Sequence, residues 1–117
     1  VVKLEKKVSK DKTATIRALN DEFRRTGVGG QILMTQGVQA LGADKINDVV
    51  LAVREYDNFT DDSDPYGEHD FGAFEVDGQK LFWKVDYYAK DLMHGSENPA
   101  DPDVTARVLT IMLASEY

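Results

Sequence analysis

The sequence predicts an α+β fold, a small antiparallel-leaning sheet packed by helices in the order α-β-α-β-β-α. Three observations carry this. Two segments repeat apolar residues every three or four positions, a short apolar run lies between them, and an Asp-Gly turn sits at the centre of a hairpin pattern. The chain has 117 residues, 42% hydrophobic and 30% charged. That length suits one domain with one core. We read residues 1–12 as a basic N-terminal arm or helix extension and residues 13–117 as a single globular domain.

From Thr13 a helical period begins, with Ile16, Leu19, Asn20 and Phe23 on one face and Arg17, Asp21, Glu22, Arg24 and Arg25 on the others. Gly27 suits the left-handed position that closes a helix. Gln31 to Gly37 is short, apolar and partly β-branched, and reads as a buried strand. The next helix carries Ile46, Val49, Val50, Val53 and Tyr56 on its inner face and ends near Asp57-Asn58. The polar stretch from Thr60 to Glu68, with Pro65 and Gly67, reads as a loop.

Asp77-Gly78 is the strongest short hairpin signal, a two-residue type I′ turn. It fixes a register in which facing residues sum to 155. Phe74 then faces Leu81, Glu75 faces Lys80, Gly72 leaves room for Trp83, and His69 faces Asp86. Leu81, Trp83, Val85 and Tyr87 share the face assigned to the core. After a polar loop from Lys90 to Pro99, Asp101-Pro102 reads as a helix start. Val104, Val108, Ile111 and Met112, widened by Leu109 and Leu113, predict a final helix from Pro102 nearly to Tyr117.

The chain has no cysteine, which removes disulfides, thiolate nucleophiles and cysteine-based zinc sites and agrees with a cytoplasmic setting. No apolar run is long enough for a membrane span, so no membrane role is expected. The net charge of −7 is unevenly spread. Residues 1–25 hold eight basic and four acidic groups, whereas residues 55–103 hold fourteen acidic groups against Lys80, Lys84 and Lys90. Such a surface repels phosphate backbones and attracts basic ones, so direct nucleic-acid binding by this region is not expected. The same charges equally suit a solvated surface kept for solubility.

Asp61, Asp62, Asp64, Tyr66, Glu68 and Asp70 form the candidate binding set. Asp64, Glu68, His69 and Asp70 could alternatively hold a hard cation through oxygen ligands, although the spacing is not that of an EF-hand. His69 with Asp86 across the ladder could alternatively act as a general-base dyad. No serine sits in a nucleophile setting, and a cross-strand His–Asp pair is more often a structural hydrogen bond. Thr26-Gly-Val-Gly-Gly follows a helix and lacks the lysine of a phosphate loop, so it is not read as a nucleotide site. No cofactor is expected.

The strings Asp64-Pro-Tyr-Gly-Glu-His-Asp-Phe-Gly-Ala-Phe-Glu and Phe82-Trp-Lys-Val-Asp-Tyr-Tyr, with Asn20-Asp-Glu-Phe-Arg-Arg-Thr-Gly and Pro102 to Ala114, resemble a small domain-of-unknown-function family widespread in alphaproteobacteria. The resemblance covers nearly everything after residue 13. It implies a bacterial cytosolic protein often associated with plasmids and other accessory DNA, and it transfers no activity or catalytic residue. That setting suggests an inhibitor of a nucleic-acid-handling defence complex, of anti-CRISPR or antirestriction type. The first reading is therefore a non-catalytic acidic protein that engages a basic protein surface. The alternatives are a metal-dependent hydrolase using the Asp/Glu/His cluster, and a structural or regulatory domain that oligomerises through the basic first helix.

Overall fold

A computed structural model describes residues 2–117, with side chains from residue 12 onward. The chain runs α1 (Val2–Thr26), β1 (Gly30–Met34), α2 (Gln36–Gln39), α3 (Ala43–Arg54), β2 (Phe71–Val76), β3 (Gln79–Tyr88), β4 (Ala106–Leu113) and a closing 3-10 turn, Ala114–Glu116. The strands form one sheet in the order β1-β4-β3-β2. β2–β3 and β3–β4 are antiparallel, and β1 joins β4 in parallel. The architecture is α+β. The side chains of most of the basic N-terminal segment, on which the arm reading and the oligomerising alternative rest, lie outside the described residues.

The hairpin follows its turn. Asp77 and Gly78 have φ of 50° and 80°, the positive pair that a type I′ turn demands. Every facing pair from Phe71–Lys84 to Val76–Gln79 stands in the expected register. One face of the sheet carries Leu81, Trp83, Val85, Leu109 and Ile111 against Phe23 of α1, Val38 of α2, and Val49 and Val53 of α3. Gly72 lies directly under Trp83, where a Cβ would collide with the indole nitrogen and approach the Tyr56 ring to 2.8 Å. The glycine is there because the tryptophan is.

The C-terminal segment corrects the sequence expectation. Ala106–Leu113 is strand β4, not a helix. As a central strand it is covered on both sides: Leu109 and Ile111 face the helices, while Val108 and Met112 are buried on the reverse face. A strand buried on both faces loses its polar–apolar alternation and reads as a continuous apolar run, which a helical period also fits. Asp101 caps no helix. Its carboxylate accepts from the Asp103 N–H at 2.9 Å, and its carbonyl accepts from the Val104 N–H, forming a turn into the strand. The first strand also departs from expectation. It ends at Met34, and it is an exposed edge instead of a buried one.

Candidate functional site

The loop from Thr60 to Asp70 leads into β2 and is held tightly. Thr60 and Ser63 exchange backbone-to-hydroxyl bonds, each at 3.2 Å, and the Asp64 N–H donates to the Thr60 carbonyl at 2.7 Å. The buried Asp64 carboxylate accepts the His69 backbone N–H at 3.2 Å. That bond helps hold His69 at φ 55°, a left-handed conformation uncommon for a non-glycine residue. From α1, Arg17 donates to the Gly67 carbonyl at 2.9 Å and Asn20 to the Glu68 carbonyl at 3.0 Å.

Beneath the loop a polar seam joins α1 to the sheet. Asn20 is fully buried and uses both ends of its amide. Its nitrogen donates to the Tyr87 hydroxyl at 2.8 Å, and its oxygen accepts from Arg107 Nε at 2.8 Å. Tyr87 in turn donates to the Glu68 carboxylate at 2.8 Å, and Arg107 also donates to the Pro99 carbonyl. Burial, as the largest cause, pushes the Tyr87 hydroxyl well above its ordinary pKa and lowers that of Arg107. Arg24, equally buried, donates to the carbonyls of Val53 and Arg54 and to Asp21, with the Phe59 and Trp83 rings flanking its guanidinium.

His69 belongs to this seam and not to a catalytic dyad with Asp86. Its Nδ1 lies 2.9 Å from Asp21 Oδ1, and since a carboxylate can only accept, Nδ1 carries the proton. Its ring stacks on Phe59 at 3.7 Å with an interplanar angle of 2°. Asp86 instead pairs with Lys84 at 2.9 Å. The ladder explains the difference. Val85 N–H still donates to the Asp70 carbonyl at 2.8 Å, but the positive φ at His69 turns the chain off the strand one residue earlier.

The metal alternative is corrected in the same way. Among the described residues no group of three or more His, Asp or Glu side chains gathers as a metal site. Asp64 is spent on the His69 backbone, Glu68 on Tyr87, and His69 on Asp21. Asp70 is half-buried, and burial first, then the nearby Glu68, raises its pKa above the ordinary carboxylate value.

The six candidate binding residues thus divide. Asp61 and Asp62 are exposed, and among the described residues their carboxylates have no ion pair or hydrogen bond. Tyr66 is 81% exposed. These three form an outward tip, while Asp64, Glu68 and Asp70 build the support under it. None of the six lines the cleft of about 590 Å³ between α1 and the starts of β1 and β4, which is walled by Leu19, Phe23, Gly30, Lys90 and Arg107 among others. The acidic set is a surface and not a pocket. Sequence reasoning missed Asp21 and the Asn20–Arg107–Tyr87 seam. A signal was present: Asn20 interrupts the apolar face of the first helix, and Arg107 interrupts an apolar run.

Fold and site together define a mixed α+β protein with a braced acidic loop. Residues 34–116 match the family model described as a protein of unknown function (DUF3768), and the chain belongs to that family. The matched span holds the loop, the hairpin and β4, while the Asn20–Gly27 string lies before it. No curated protein and no solved structure matches the chain. No helix among the described residues is long and apolar enough to cross a membrane.

Proposed function

We propose that this protein is a non-catalytic binding module that engages a basic protein surface through the tip formed by Asp61, Asp62 and Tyr66. The observation that carries the reading is the division within the loop. Its inner residues are tied to one another, to α1 and to the sheet, while its outer carboxylates and an aromatic ring are exposed and have no hydrogen bond or ion pair among the described residues. A tip already held in place loses little conformational freedom on docking, and an exposed tyrosine flanked by charges is a common anchor. The wider segment, residues 55–103, with fourteen acidic groups against three lysines, adds long-range attraction for a cationic partner.

In its finer form the reading makes the partner a nucleic-acid-handling defence complex, the acidic tip competing for a surface that otherwise meets phosphates. The experiment is affinity capture from a bacterial lysate with the wild-type protein and with an Asp61→Lys/Asp62→Lys/Tyr66→Ala variant. The reading expects a nucleic-acid-binding protein retained by the former only, and released by added salt or by excess nucleic acid. Identical capture by both proteins would overturn it.

A further inference from the structure

We infer that β1 is a self-pairing edge, through which two copies join their sheets into one across a two-fold axis. β1 is an outer strand of the sheet, and β4 is its one strand neighbour among the described residues. The Thr35 N–H donates to the Ile111 carbonyl at 3.1 Å, so by the alternation of a strand Gln31 and Leu33 also point their backbone groups at β4. Gly30, Ile32 and Met34 therefore turn theirs outward. Among the described residues only one bond covers this row, from Gln39 Nε2 to the Met34 carbonyl at 2.8 Å.

Natural edges are guarded by short length, charge, proline, a bulge or a covering element. This one is five residues long and carries neither charge nor proline: its sequence is Gly-Gln-Ile-Leu-Met. Ile32 and Leu33 are 38% and 51% exposed, and Val28, just before the strand, is also exposed.

The occupant is a second copy because the strand complements itself. Pairing antiparallel about Ile32 sets the outward-facing Ile32 against its own symmetry mate and Gly30 against Met34, so the residue without a side chain meets the long one. On the reverse face Gln31 meets Leu33. No charge opposes another anywhere in this register, as an isologous contact requires. The acidic loop enters the sheet through β2, at the opposite edge. Dimerisation would leave both loops free and present them bivalently.

Sedimentation of the full chain across a concentration series, at low and high salt, tests this. We expect a monomer–dimer equilibrium that tightens with salt, because copies of net charge −7 repel each other. Ile32→Pro removes an N–H that β4 does not use, and it should weaken the dimer at least about a hundredfold. If that variant does not fold, Leu33→Lys, at an exposed position, should still weaken it about tenfold. In a chain without cysteine, Ile32→Cys should cross-link to its own mate through a short bismaleimide, whereas Glu75→Cys on β2 should not. A protein that stays monomeric at every concentration would overturn the proposal. So would a dimer that survives both edge variants, or one that gives no cross-link at position 32. Salt that strengthens self-association yet weakens partner binding separates this inference from the acidic-tip reading.

Discussion

The inner and outer residues of the Thr60–Asp70 loop are both rich in carboxylates and have opposite fates. Asp64 accepts from the His69 backbone within the loop, Glu68 accepts from Tyr87 of the sheet, and His69 donates to Asp21 of α1. Asp61 and Asp62, a few residues away, are exposed and have no hydrogen bond or ion pair among the described residues. The difference teaches that an acidic cluster in sequence is not one chemical object. Carboxylates that find buried donors become architecture, and those left outside become a charged surface. Density of acids suggested a cation site; geometry divides the acids before a cation could gather them.

Variants at the seam should expose this contrast most strongly. Asn20→Leu keeps the shape but strips partners from Tyr87, the Glu68 carbonyl and Arg107 together. Leaving a buried charge and hydroxyl short of partners should cost about 3–5 kcal/mol in denaturant melts. Gly72→Val forces a branched side chain into Trp83 and Tyr56 and should cost about 1–3 kcal/mol. Full stability of Asn20→Leu would show that the seam is not what holds the loop, and full stability of Gly72→Val that Gly72 and Trp83 do not meet.

A smaller effect of opposite sign is expected at Asp70. Its folded-state pKa is raised, so the ionised form is the one the fold disfavours. That penalty is present at neutral pH and fades as pH falls through the raised value towards the ordinary one. Asp70→Asn should therefore stabilise the protein slightly at neutral pH, with the advantage shrinking on acidification. Melts at a series of pH values would check it. At the tip, Asp61→Lys/Asp62→Lys should leave stability within about 0.5 kcal/mol, since both carboxylates are exposed and have no partner among the described residues.

Local chemistry was legible in the sequence where one residue pair dictates one geometry. Asp77-Gly78 determined the turn, the turn determined the register, and Gly72 under Trp83 followed. The α3 stripe through Val49 and Val53 was legible because one face is buried and the other wet. β4 was not, because burial on both faces erases the period that distinguishes strand from helix. The pairing of His69 failed for a different reason. A single positive φ ends the ladder, and the carboxylate that captures the ring comes from Asp21, forty-eight residues earlier in the chain. The loop could be found as acidic from sequence alone, but its division into support and tip depends on α1 docking against it.

The most direct test of the acidic tip is the association rate with the captured basic partner, measured at low and high ionic strength. Wild type is compared with the Asp61→Lys/Asp62→Lys variant, after both are shown to melt alike. Charges held outward on a rigid loop act over roughly 8–10 Å in physiological salt, so their reversal should act mainly on encounter. The account predicts an association rate for wild type that falls steeply with salt, and for the variant a slower rate at low salt that responds little to it. Equal rates with equal salt dependence would contradict the account and leave those carboxylates as ordinary solvated surface.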